Sequence, residues 1–324
     1  MELSETQCQI ENELESLELE LRGSLVSRLP LITDVANHLL STRGKRFRPT
    51  LLLLSAKLNG APSDRAVRAA TIVEIIHTAT LIHDDSIDKS RLRRGFPTVN
   101  SLWDNDVSIA MGDFLYSKAF HLLVENKMYD VIEILAEATH RMSVGEMLEL
   151  EKRHDTGITE EEYMSMIGDK TASLISACCE IGAVLGDSHD GTKSRFSRYG
   201  HSVGLAFQIT DDLFDFVGHE SDLGKDVASD VRGGKFTLPV ITALRNAGSM
   251  DKAKMQNILS SDGLVDGRWE ELVSLIREYD GIAYARQVAL AHASEAKNTM
   301  KPFEDSPCYS SLCSIVDYTV ERRQ

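Results

Sequence analysis

The chain has 324 residues, 42% of them hydrophobic, with 7 prolines and a formal net charge of −15 at pH 7. No Ser/Gly/Pro-rich or low-complexity stretch breaks the apolar pattern, which predicts one domain over 1–324, and so acidic a chain is a poor partner for nucleic acid, whose phosphates are gripped by clustered Lys and Arg. Five cysteines without CxxC spacing and an acidic N-terminus predict a reduced, cytoplasmic protein, and no apolar run is long and clean enough for stable membrane insertion.

Apolar residues recur at three- and four-residue spacing almost throughout, and period-two runs rich in Val, Thr and aromatics are missing, so the expected class is all-α. Ile10, Leu14, Leu17 and Leu21 mark a first amphipathic helix among glutamates, ending before Pro30, with its stripe on the protein's own core. Gly44, Lys45, Arg46, Phe47, Arg48 and Pro49 read as a basic turn leading into the apolar run Leu51 to Leu58. A helix from about Ser63 to Asp88 follows, capped by Ser63 or Asp64 and carrying Ala69, Ile72, Val73, Ile76, Ala79 and Ile82. Helical patterns continue over about 101–126, 128–151 and 159–186, and another runs from about 192 to Asp215. Gly218, Gly224, Gly233 and Gly234 then punctuate a loop closed by Thr237, Leu238 and Pro239. Residues 240–324 return to helical periodicity.

Two copies of one acidic word stand near the ends of helical stretches: Asp84, Asp85, Ser86, Ile87, Asp88 and Asp211, Asp212, Leu213, Phe214, Asp215. In a helix the first and fifth residues of DDxxD lie on one face a turn apart. Six carboxylates in two knots repel strongly without cations. Mg²⁺ is usually held by one or two carboxylates together with substrate phosphates and water, so paired clusters predict a Mg²⁺ site completed by a diphosphate.

A diphosphate also needs basic partners. Lys45, Arg46 and Arg48 cluster before one helix, and Arg91, Arg93 and Arg94 follow the first aspartates. Arg forks and Lys point charges suit phosphate oxygens; Arg91 and Arg46 are assigned instead to surface salt bridges. His77 lies two turns before Asp84 on the same stripe. A lone His on an apolar helix is ordinarily a hydrogen-bonded core residue, but this face is that of the aspartates, and a diphosphate contact is a comparable reading. Lys170, Thr171 and Gln208 interrupt apolar helices with polar groups, and Lys225 and Lys235 sit on the glycine-rich loop, where cations can close over a leaving group.

Together these motifs, with Met111-Gly112-Asp113-Phe114-Leu115, Phe207-Gln208-Ile209, Gly224-Lys225-Asp226 and Gly234-Lys235, resemble the trans-isoprenyl diphosphate synthases nearly end to end. The resemblance implies a bundle of long antiparallel helices around a central cavity, in a homodimer. It implies that Asp84, Asp88 and Asp211 are the principal ligands of Mg²⁺, three ions with the diphosphate bound, and that Asp85, Asp212 and Asp215 support them. Arg93, Lys170, Lys225 and Lys235 correspond to the grip on the allylic diphosphate, with Thr171 and Gln208 at the reacting centre. Gly44, Lys45, Arg48, His77 and Arg94 correspond to the pocket for isopentenyl diphosphate. Phe96 departs from the polar or basic residue the family places there.

The implied reaction is Mg²⁺-assisted ionisation, condensation and elimination, joining isopentenyl diphosphate to farnesyl or geranylgeranyl diphosphate. Short-chain members carry a bulky aromatic four or five residues before the first Asp, where this chain has Ala79 and Thr80. One helical turn advances about 5.4 Å, comparable to an isoprene unit, so a long product of roughly thirty to fifty carbons is expected, forty favoured, as in quinone side chains. Ile76 and Val73 lie deeper and could set a later limit. The alternatives are a short-chain synthase, a class I terpene cyclase that would not need the second basic pocket, a Mg²⁺-dependent nucleotide pyrophosphatase, and a non-catalytic partner subunit, which would be expected to lack some of the six aspartates.

Overall fold

The computed structural model describes residues 3–42, 44–217, 228–260 and 268–322. The protein is all-α, as its periodicity implies, and among the described residues β structure is confined to a hairpin of β1 (Leu92–Arg93) and β2 (Phe96–Pro97). The chain separates into two compact units, one of Met1–Glu137, Ala177–Gly200 and Met300–Ile315, the other of Ala138–Ser176, His201–Thr299 and Val316–Gln324.

The first unit opens with α1 (Leu3–Gln7), a 3₁₀ turn, α2 (Glu11–Ser24) and α3 (Pro30–Ser41), whose proline sits where a missing N–H costs nothing. The basic segment is shorter as a turn than expected. α4 already begins at Phe47 and ends at Leu58, so Arg48 and Pro49 lie in its first turn, entered through Arg46 in the left-handed region at φ 54°. α5 spans Ser63–Ile87. Neither Ser63 nor Asp64 caps it, because Pro62 takes the cap position without a side-chain bond and Asp64 falls inside the positive first turn. α2, α4 and α7 (Asn105–Glu125) pack around α5, whose Ile72, Val73, Ile75, Ile76 and Ala79 are fully buried. Arg46 also differs from expectation. It is not a surface ion pair but a half-buried bridge, Nε to Glu18 at 2.6 Å and Nη1 to Glu74 at 2.5 Å.

After a short α6 (Val99–Leu102) and α7 come α8 (Tyr129–Glu151), α9 (Glu160–Ile167), α10 (Ser173–Leu185) and α11 (Asp190–Val217). The stretch expected as one helix over 159–186 is interrupted by a π turn, Gly168–Ala172, a local widening often found at functional sites. The second unit builds its core from Tyr163 of α9, Ile209 and Leu213 of α11, Leu238 and Ile241 of α13 (Leu238–Asn246), and Leu272 and Ile276 of α15 (Arg268–Glu278). Part of the expected loop is helical, α12 (Ser229–Arg232), and α14 (Ser249–Leu259), α16 (Gly281–Met300) and α17 (Pro307–Glu321) complete the helical C-terminal third. Gly218, Gly224 and Lys225 lie outside the described residues. None of the described helices is long and apolar enough to cross a membrane.

Candidate active site

The first aspartate cluster closes α5. Asp88 takes the C-cap position and its N–H donates to the Asp84 carbonyl at 2.8 Å, so the helical turn carries both residues on one side. Asp84 and Asp88 remain solvent-accessible, whereas Asp85 is buried and held by Arg93, whose Nε lies 2.9 Å from both carboxylate oxygens and whose Nη2 lies 2.8 Å from Oδ1. The hairpin makes this possible. Arg94 and Gly95 occupy its two central positions at φ 53° and 78°, the double left-handed conformation of a type I′ turn, for which glycine is suited. Phe96, the departure from the family pattern, pairs with Arg93 and is 48% exposed.

A cationic cluster forms on the same unit. A methyl group at Gly44 would lie 2.7 Å from Arg94 Nη1, so the missing side chain is what lets that guanidinium approach the backbone. Arg48 Nη1 lies 3.0 Å from His77 Nε2. Arginine can only donate, so Nε2 accepts and His77 is neutral. Burial, then the charges of Arg48, Arg94, Arg93 and Arg46, hold its pKa well below the ordinary value. Burial likewise lowers Arg48, with Arg94 opposing its charge and Asp84 and Glu74 favouring it. Arg48 Nε is buried with no hydrogen-bond partner among the described residues. Lys45, next in sequence to Gly44, is exposed. Below Asp84, His77, Thr80 and Leu81 keep some exposure, while Ala79, Ile76 and Val73 are sealed.

On the second unit, Asp211 is accessible and Asp212 and Asp215 are buried. Tyr163 Oη donates to Asp212 Oδ2 at 2.6 Å, Gln208 Nε2 donates to Oδ1 at 2.7 Å, and Thr171 Oγ1 donates to Gln208 Oε1 at 2.8 Å. Burial nevertheless raises the Asp212 pKa to about 7, with Asp211 and Asp215 adding repulsion, so a cation nearby would meet a carboxylate that wants one. Asp215 accepts from the Asp230 N–H at 2.8 Å and Ser229 Oγ at 3.3 Å. Arg322 sits on the Phe207 ring, 3.8 Å from its centroid, and donates to the Phe207 carbonyl and to Asp211 Oδ1 at 3.0 and 3.2 Å. Lys170 Nζ lies 2.5 Å from Glu146 and 2.8 Å from Glu149, and Lys235 Nζ lies 2.9 Å from Glu149.

Glu146, Glu149, Tyr163 and Arg322 were not among the residues read from sequence. The acidic pair three apart on α8 and the two arginines ending an acidic chain are the only signals that could have found them. The aspartate donors are all hard oxygens, which suit Mg²⁺ or Ca²⁺. Among the described residues no three His, Cys, Asp or Glu side chains form a group that could hold a metal ion.

The polyprenyl synthetase family model matches residues 29–276. A short chain isoprenyl diphosphate synthase of Methanothermobacter thermautotrophicus is 37% identical, covering 89% of each chain. The nonaprenyl diphosphate synthase of Mycobacterium tuberculosis is 36% identical, over 90% of this chain and 87% of its own. Among solved structures, a polyprenyl synthase of Caulobacter crescentus complexed with calcium and isoprenyl diphosphate superposes with a TM-score of 0.94 at 32% identity, covering 100% of this chain and 98% of that one.

Proposed function

The chain belongs to the polyprenyl synthetase family, and from that membership we propose that it condenses isopentenyl diphosphate with farnesyl or geranylgeranyl diphosphate into a long all-trans polyprenyl diphosphate. The observation that carries this reading is the cluster of Arg48, His77 and Arg94 within electrostatic reach of Asp84. A cluster that crowds cations, keeps its histidine neutral and leaves Arg48 Nε without a partner is built for an anion, and it needs no metal. Elongation requires such a group beside a metal-binding cluster, because two diphosphates must be held at once; a cyclase or a pyrophosphatase handles only one.

Asp84, Asp88 and Asp211 would hold Mg²⁺, with Asp85, Asp212 and Asp215 anchoring the clusters from behind. Bound there with the allylic diphosphate, Mg²⁺ would neutralise the charge that grows on the leaving group. Arg93, Lys170, Lys225 and Lys235 grip the same diphosphate as the C–O bond ionises. The neutral His77 and Arg48 hold isopentenyl diphosphate so that its double bond meets the allylic cation, and a proton then leaves to the released diphosphate. Thr171 and Gln208, tied to Asp212, form a polar wall at the reacting centre. Five cysteines, none in a disulfide, suit a reducing cytoplasm, and the resemblance supports a homodimer.

For product length the accessible stripe of α5 matters. Thr80 is the first small residue a growing chain would meet below Asp84, and the positions five and four before that aspartate, Ala79 and Thr80, carry no aromatic ring, which supports a product of roughly thirty to fifty carbons at one isoprene unit per helical turn. The test is incubation with radiolabelled isopentenyl diphosphate, farnesyl diphosphate and Mg²⁺, followed by sizing of the extracted lipid. A long labelled ladder is expected. A product stopping at twenty carbons would restore the short-chain alternative, and a cyclic or unlabelled product would end the reading.

A further inference from the structure

The second unit contains a compact mixed-charge knot whose carboxylates no role above explains. Glu149 is partly buried, its side chain 12% exposed, and its Oε1 is shared by Lys170 at 2.8 Å and Lys235 at 2.9 Å. One oxygen touching two ammonium groups forces those cations into neighbouring positions, where their own Coulomb repulsion would otherwise drive them apart.

The backbone is shaped to allow this. A Cβ at Gly145 would lie 2.4 Å from the Lys170 nitrogen and 2.9 Å from its Cα, so only glycine lets α8 come so close to the π turn that carries Lys170. That approach puts Glu146 and Glu149, one helical turn apart, on the side of α8 that meets the turn. Lys235 follows Gly234, which has φ 73°, and a Cβ there would strike the His154 ring at 2.5 Å, while the Gly234 carbonyl accepts from the His154 N–H at 2.8 Å. Both lysines therefore reach Glu149 from fixed backbone.

We propose that Glu149 is a positioning residue: it gathers Lys170 and Lys235 into one dication whose spacing is preset for the oxygens of the allylic diphosphate. This rests on the reading of those lysines as a diphosphate grip. The free energy of bringing two like charges together is supplied by folding rather than by the substrate, which is how preorganisation improves binding. Glu149 itself stays ionised, held below the ordinary carboxylate range by the two lysines in spite of its burial. Glu146 pairs with Lys170 at 2.5 Å, its one ion-pair partner among the described residues, and serves as the graded control.

The test compares wild type, E149Q, E149D and E146Q. Glutamine keeps the shape of Glu149 and deletes the charge, so the lysines separate. KM for the allylic diphosphate should rise by about tenfold, the scale of one lost charge-assisted contact, while KM for isopentenyl diphosphate and the melting temperature stay where they were. E149D should restore most of the loss, because flexible lysine stems can follow a carboxylate one methylene shorter, and E146Q should cost about threefold or less. Titration with inorganic pyrophosphate and Mg²⁺ should show the same ranking without any turnover. An E149Q enzyme with unchanged allylic KM, or one in which both substrates weaken together with a lowered melting temperature, overturns the proposal. A wild-type chain that neither elongates nor binds pyrophosphate sinks the parent reading instead.

Discussion

Arg48 and His77 show how two side chains acquire a role from each other. Arginine to lysine at 48 keeps the charge but loses the fork, so R48K should raise KM for isopentenyl diphosphate by about tenfold and leave that for the allylic substrate nearly unchanged, read by initial rates with each substrate varied. His77 gives a pH signature. Its folded pKa is depressed, so below an unfolded value of about 6.5 the unfolded chain binds a proton that the folded one refuses. The histidine's contribution is therefore complete above that pH and is lost as pH falls beneath it. Melting curves of wild type and H77N should converge on acidification; curves that stay parallel from pH 8 to pH 5 would refute the neutral assignment. The sequence showed both residues and their shared stripe with Asp84, but not that one would hold the other neutral, because the contact joins α4 to α5 across 29 positions.

Elements decide what those residues can reach. α11 meets the π turn closely enough that a Cβ on Gly204 would lie 2.5 Å from Ala172 Cα. G204A should push Gln208 away from Thr171, lowering stability by about 1–3 kcal/mol as overpacking does, measurable by urea unfolding, with a fall in turnover. On α5 the outcome differs between neighbours. Thr80 is accessible and Ala79 is sealed, so T80Y should shorten the product by one or more isoprene units in a folded enzyme, whereas A79Y should first cost stability; an unchanged ladder from T80Y would mean the chain takes another path. Periodicity located these helices to within a few residues, yet the π turn was invisible because its residues have ordinary helical composition. The hairpin was invisible too, since strands of two residues leave no alternation to detect. Arg46 was misjudged for a related reason: burial of an arginine depends on Glu18 and Glu74, acids that its local sequence does not contain.

At the scale of the whole molecule, a ligand that binds only the folded chain raises its stability by mass action. Pyrophosphate with Mg²⁺ at about one hundred times its Kd should add about 2.7 kcal/mol and raise the melting temperature, and a chelator should remove most of the gain, leaving what the metal-free Arg48 group binds; a shift undiminished by chelation would remove the metal from the proposal. The all-α class, the two aspartate clusters and the basic residues around them were determined by sequence alone, because helical period and DDxxD spacing are local properties of a chain. Which aspartates are accessible and which are buried against Arg93, Tyr163 or Asp230, that Glu149 joins two lysines, and that Arg322 rests on Phe207 were decided only by tertiary structure. Those pairings connect residues far apart in sequence, and whether a polar group is buried, paired or accessible depends on what the rest of the fold places against it.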